Sequence, residues 1–211
     1  AGLAAEAVGG LAYLYEDDLY SGVILYDLGL DEAFARHAEK VWARLRSRGV
    51  EEIVTLDPHT THVMREVYPR YVDGYSLTVR SYLEALDEAG WSPGNVAGAG
   101  GRVVVHDPCL YARGLGVVEQ PRRLLRRAGY EPVDPPRSRG DTYCCGGPVR
   151  AVAPGLSNAI AGERLEELAS TGARVVAVMC PICFLNLSRA AAGRGDVELR
   201  DIAELLAAAR G

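Results

Sequence analysis

The chain has 211 residues, 48% of them hydrophobic and 24% charged, as expected of a soluble globular protein of one ordinary domain or two small ones. A net charge of −5 argues against nucleic acid as a partner, and the longest apolar run, 175–185, is too short to span a bilayer and is interrupted by Pro181. Lys40 is the only lysine among 23 basic residues, which removes a Walker-type phosphate loop and most Schiff-base chemistry.

The opening residues, AGLAAEAVGG, show no basic region ahead of an apolar one, so no signal peptide is expected. The missing initiator Met reads as a processed chain or an excised fragment. Five cysteines without such a signal point to reduced, cytoplasmic thiols that bind a metal or do redox work. NLS at 186–188 matches a glycosylation acceptor only formally.

In chain order, the spacing of Phe34, Ala38, Val41, Trp42 and Leu45 predicts a helix over 31–49, with Asp31 as N-cap and Gly49 just past the last turn. EEIVTL (51–56) reads as a strand, and 76–90 as a helix with Val79, Leu83 and Leu86 inward. RVVVH (102–106) is the next strand, followed by a helix opened by Pro121 and ended at Gly129. A helix over 158–171 turns Ile160, Leu165 and Leu168 inward. RVVAVM (174–179) is a strand, and the last helix starts at Asp201 and carries Ile202, Leu205 and Leu206. Strands alternating with helices define an α/β fold with mostly parallel sheets flanked by helices.

These pieces repeat. GVEEIVTLDPHT (49–60) superposes on GARVVAVMCPIC (172–183) without a gap, an offset of 123 residues (172 − 49). At that offset Thr78, Val79, Tyr82 and Leu83 fall on Asp201, Ile202, Leu205 and Leu206. YSG at 20–22 falls on CCG at 144–146 with one residue gained or lost between. The expected organisation is two tandem related units: 1–91, incomplete at its start and without cysteines; a glycine-rich linker over 92–101; and 102–211, which carries every cysteine.

The cysteines follow the pattern C-x34-CC-x34-C-x2-C, as Cys109, Cys144, Cys145, Cys180 and Cys183. Each group follows a strand or lies in a loop, and in a parallel sheet the loops at the carboxyl ends of strands gather where ligands bind. Tetrahedral zinc wants four ligands, so a fifth thiolate is surplus and two adjacent cysteines have to bend sharply to reach one ion. An iron–sulfur cluster is larger, and adjacent thiolates meet different irons or bridge them. Gly146 and Gly147 let backbone come close and aim N–H donors at the sulfurs. Zinc on four cysteines in a structural, non-redox subunit is the alternative; a metal-free thiol–disulfide enzyme using Cys180 and Cys183 is a third reading.

HDPC, PRSRGDTYCCGG and VMCPICFLNL resemble the cysteine-rich CCG domain found in the B-type subunit of heterodisulfide reductase and in the iron–sulfur subunits of glycolate and lactate oxidases. The resemblance covers almost the whole chain. It implies that all five cysteines ligate a non-cubane [4Fe–4S] cluster in an oxidoreductase subunit that works inside a complex. Such a subunit takes electrons from a flavoprotein or ferredoxin-like partner and passes them to a disulfide, quinone or similar acceptor, with any membrane association coming through a partner. In the first copy Tyr20, Ser21, Asp57 and Thr60 stand where the second has cysteines, and no counterpart of Cys109 exists, so that copy is expected to be a scaffold. Asp57, His59 and His62 offer a hard-metal or proton-relay set; the simpler reading has Asp57 capping the helix after its strand. His106 and Asp107 are candidates for hydrogen bonds to the site or for proton delivery, and Arg113 and Arg150 for attracting an anionic substrate.

Overall fold

The computed structural model describes residues 1–94 and 100–210; the middle of the expected linker, 95–99, lies outside them. The chain divides into two compact units, Ala1–Ala85 and Leu86–Gly211. The first contains α1 (Gly2–Ala7), α2 (Val23–Asp27), α3 (Asp31–Ser47), β1 (Glu52–Thr55), α4 (Pro58–His62), α5 (Tyr68–Tyr71), β2 (Thr78–Ser81) and the start of α6 (Tyr82–Glu88). The second contains β3 (Arg102–Val105), α7 (Glu119–Arg127), β4 (Glu131–Val133), α8 (Pro154–Ala169), β5 (Val175–Val178), α9 (Pro181–Ala190), β6 (Glu198–Asp201) and α10 (Ile202–Ala208).

In the first unit β1 and β2 pair in parallel, Glu52 opposite Thr78 and Thr55 opposite Ser81. The predicted apolar face of α3 is the buried one: Phe34, Ala38, Val41, Trp42 and Leu45 join Val63, Val67 and Tyr68 in one core. Phe34 is the centre of an aromatic group, its ring 5.0 to 5.8 Å from those of Tyr26, Tyr68 and Tyr71. Leu30, not Asp31, occupies the N-cap position of α3, and Asp31 instead accepts a hydrogen bond from the Tyr71 hydroxyl at 2.9 Å.

The second unit is an open sheet of four parallel strands in the order β4-β3-β5-β6. The chain runs outward from β3 to β4, then returns across β3 to β5 and continues to β6. The strand order therefore reverses between β3 and β5, and their carboxyl ends face a crevice where ligands bind in doubly wound folds. β3 and β5 are apolar nearly throughout, as interior strands of a parallel sheet must be. Val104, Val176 and Val178 pack with Ala161, Leu165 and Leu168 of α8 and with Leu187 of α9. Val103, Val105 and Ala177, of the opposite parity, are left to the side taken by α7 and α10, which contact each other.

Several positions matched between the two units share local structure. Gly22 and Gly146 both adopt a left-handed backbone, at φ +77° and +76°. Asp57 and Cys180 both sit at the N-cap of a helix whose next residue is proline. Ser81 and Glu84 form a reciprocal cap, Ser81 N–H to Glu84 Oε2 at 2.8 Å and Glu84 N–H to Ser81 Oγ at 3.2 Å. Asp201 and Glu204 do the same at the start of α10. Strand register agrees, because Ser81 lies opposite Thr55 and Asp201 opposite Val178. The ungapped alignment beyond residue 60 is thus corrected: Ser81, not Thr78, is the counterpart of Asp201. The helix expected over 76–90 likewise begins only at Tyr82, the preceding residues forming β2.

Truncating Phe34→Ala removes a fully buried ring and is expected to lower the stability of the first unit by about 3–5 kcal/mol. Chemical denaturation followed by tyrosine and tryptophan fluorescence measures it.

Candidate metal centre

Three loops reach the crevice. The first leaves β3 through His106, Asp107 and Pro108 to Cys109, with the His106 N–H extending the β3–β5 pairing to Ala177 O at 3.0 Å. The second lies between β4 and α8 and carries Cys144 and Cys145. The third leaves β5 through Met179 to Cys180, the N-cap of α9, and Cys183 in that helix's first turn.

The five cysteines are all unpaired as disulfides; Cys145, Cys180 and Cys183 are buried, while Cys109 and Cys144 are half-buried. Their side chains form one continuous row of hydrogen bonds: Cys109 to Cys144, Cys144 to Cys145, Cys145 to Cys183 and Cys183 to Cys180. Hydrogen bonds from Cys109 and Cys145, helped by the Gly146 N–H, hold the Cys144 thiol far below the usual thiol range. The same contact with Cys144 pushes Cys145 up to about 12, and Cys109 is raised for the same reason. Cys183 is raised by its hydrogen bonds to Cys145 and Cys180, together with burial.

The CCGG turn is built for close approach. Gly146 N–H points at Cys144 Sγ at 3.3 Å and Gly147 N–H at Cys145 Sγ at 3.4 Å. A Cβ on Gly146 would lie 2.8 Å from the Ser157 carbonyl oxygen, on top of the left-handed backbone; one on Gly147 would lie 2.4 Å from Ile182 Cγ2. Asn186 of α9 donates to Cys145 O at 2.7 Å, and Ser157 of α8 donates to Gly146 O at 2.8 Å. The Asn186 side chain is buried and committed, so the formal glycosylation acceptor is a structural clamp.

Asp107 is fully buried and binds Arg122, itself 1% exposed, through two parallel hydrogen bonds of 2.8 Å. Arg122 also donates to Asp134, beyond β4, and to Val118 O. Asp107 Oδ2 accepts a further bond from the Arg139 N–H at 2.8 Å, and Asp107 O one from Thr142 Oγ1 at 2.8 Å. The Asp107 carboxylate is thus a strut that joins the end of β3 to the loop leading into the cysteine pair. His106 is buried beside the thiols; burial, then the Arg164 charge, lower its pKa to about 3 and keep the ring neutral. Arg113 donates to Thr142 O at 2.8 Å and Arg150 to Asn158 Oδ1 at 2.9 Å, which ties Arg113 to the loop before the cysteine pair and Arg150 to α8.

In the first unit the matching positions converge without sulfur. Ser21 Oγ and Thr60 Oγ1, the counterparts of Cys145 and Cys183, lie 3.5 Å apart. Asp57 accepts from the backbone N–H groups of His59 and Thr60, both at 2.9 Å, as a helix cap. Among the described residues, the group of three or more metal-type donors that converges is His106, Cys145 and Cys183; Asp57, His59 and His62 do not.

The second unit is thus a doubly wound unit with five thiols gathered at its switch point. Residues 103–188 match the family model of the CCG cysteine-rich domain, and this stretch of the chain is a CCG domain. The chain is 35% identical over 94% of its length to 31% of a probable membrane-anchored ferredoxin of Chromohalobacter salexigens. It is 30% identical over 75% of its length to 32% of the B-type subunit of a fumarate reductase (CoM/CoB) of Methanothermobacter marburgensis. A shorter match, 36% identical, covers 52% of the chain and 28% of the D-type subunit of the dihydromethanophenazine:CoB–CoM heterodisulfide reductase of Methanosarcina barkeri. The chain thus spans about a third of the length of these curated relatives. No helix among the described residues is long and apolar enough to cross a membrane.

Substituting Gly146→Ala is expected to cost about 1–3 kcal/mol through the clash with the Ser157 carbonyl and the left-handed backbone. Denaturation of the second unit, compared with a Gly155→Ala control where a Cβ meets open space, reads it.

Proposed function

We propose that Cys109, Cys144, Cys145, Cys180 and Cys183 hold one iron–sulfur cluster, of the non-cubane [4Fe–4S] type, and that the chain is the electron-transfer part of a heterodisulfide-reductase-like oxidoreductase. The carrying observation is the shape of the donor set. Five thiols stand in a row, and no four of them among the described residues come within 4.8 Å of one another, as tetrahedral zinc on four cysteines requires. A row of sulfurs suits a centre of several metal atoms instead. The relatives named as a probable ferredoxin and as a heterodisulfide reductase subunit support the same reading.

Such a cluster, when bound, supplies storage and release of a single electron. The chain's own groups do the rest. Cys145, Cys180 and Cys183 keep water from the inner side, while half-buried Cys109 and Cys144 leave the outer side open to a partner. Gly146 and Gly147 offer N–H donors to the two adjacent sulfurs, which tune the potential. With one centre, the chain relays electrons singly between a flavoprotein or ferredoxin-like donor and a disulfide, quinone or similar acceptor; the two electrons that a disulfide takes call for a second carrier. The thiols suit the reducing cytoplasm, with any membrane attachment supplied by a partner subunit.

Protein purified without oxygen is expected to be brown, with about four irons and matching sulfide per chain and an EPR signal on a change of redox state. Cys145→Ser, at the middle of the row, lowers iron content at least several-fold. Stoichiometric zinc with no iron after growth in iron-replete cells, and no cluster on reconstitution, overturns the reading.

A further inference from the structure

His106 is 1% exposed at the carboxyl end of β3. Its Nδ1 lies 3.1 Å from Nε of Arg164. A guanidinium has donors and no acceptor, so Nδ1 must present its lone pair. On a neutral imidazole the single proton then sits on Nε2. That nitrogen has no hydrogen-bond partner although it is buried. Leaving a buried donor unpaired is costly, and a fold keeps one only for a reason. The reason is close by: a nitrogen of this ring and the sulfurs of Cys145 and Cys183 all lie within 4.8 Å of one another.

Arg164 is itself held in place. Fully buried in α8, it donates to Glu167 Oε2 at 2.7 Å and to Arg137 O at 2.9 Å. Its guanidinium therefore cannot swing away to release Nδ1 without breaking buried charge-assisted bonds.

We propose that Arg164 locks His106 in the Nε2–H tautomer, so that the ring serves the five-cysteine site as a fixed hydrogen-bond donor to sulfur and not as a metal ligand. Ligation through Nδ1 is blocked by a permanent cation. Ligation through Nε2 requires stripping the last proton from a neutral imidazole. The same lock closes the His–Cys–Cys triangle to zinc. An N–H aimed at a cysteine sulfur favours the more negative, reduced state and raises the potential of a centre bound there. Only this redox consequence rests on the cluster reading; the tautomer belongs to the chain alone.

The test uses the full chain in two arms. In metal-free, nitrogen-15-labelled protein, long-range proton–nitrogen NMR of the imidazoles is expected to show His106 as Nε2–H, and Arg164→Met to abolish that preference. An Nδ1–H or doubly protonated His106 in the wild type overturns the proposal, and the wild-type spectrum decides even where Arg164→Met fails to fold. In the second arm, anaerobically loaded His106→Ala keeps the wild-type iron content but titrates at a lower midpoint potential by EPR. His106→Gln, whose carboxamide donates, recovers part of the shift. Loss of iron from His106→Ala with circular dichroism unchanged makes the residue a ligand and overturns the proposal. A wild-type chain that takes up no iron removes the function proposed above, while the tautomer spectrum still decides the lock.

Discussion

The site depends on one topological fact: β3 and β5 are neighbours in space but not in sequence. The chain leaves β3 on one side of the sheet and returns on the other, and the polypeptide therefore parts at their carboxyl ends. Into that opening come Cys109 from one strand and Cys180 and Cys183 from the other. The remaining pair arrives from the loop between β4 and α8, which Asp107, Thr142 and Arg139 fasten to the end of β3. Had the strands followed sequence order, these loops would be strung along the edge of the sheet, and the sulfurs could not touch.

The chemistry follows from how those sulfurs are packed. Burial alone would leave five neutral thiols. Neighbouring S–H groups and the Gly146 N–H instead pull the Cys144 thiol down against the effect of burial. The first unit shows what remains when sulfur is lost but geometry is kept: Ser21 still meets Thr60, Gly22 keeps its left-handed turn, and an aspartate caps the helix where Cys180 does so in the second unit. Hydroxyls cannot serve soft metals as thiolates do, and the first unit retains the frame without the sulfurs.

Much of this was legible in the sequence, for identifiable reasons. The face of α3 follows from its strict helical spacing, and β1, β3 and β5 from their β-branched runs. The convergence of the cysteines follows from their placement after strands. The glycine contacts with sulfur were legible because so few other residues fit beside a cysteine pair. The strands β2 and β6, TVRS and ELRD, were not, since they are short and polar. β4 was hidden by Pro132, which an edge strand tolerates and an interior one does not. The helix α9 announces itself by Pro181 at its first turn, a signal overshadowed by the cysteines on either side. Arg122 and Arg164 could not be singled out: in a chain where nearly every basic residue is arginine, only loss of solvent marks the two that are structural.

The Arg122 strut has a consequence for how the molecule breathes. A single guanidinium gathers the end of β3, the start of the loop after β4 and the carbonyl of Val118 ahead of α7. None of these segments can fray alone, because releasing one leaves charge stranded in the interior. Amide exchange across all three should share one opening energy.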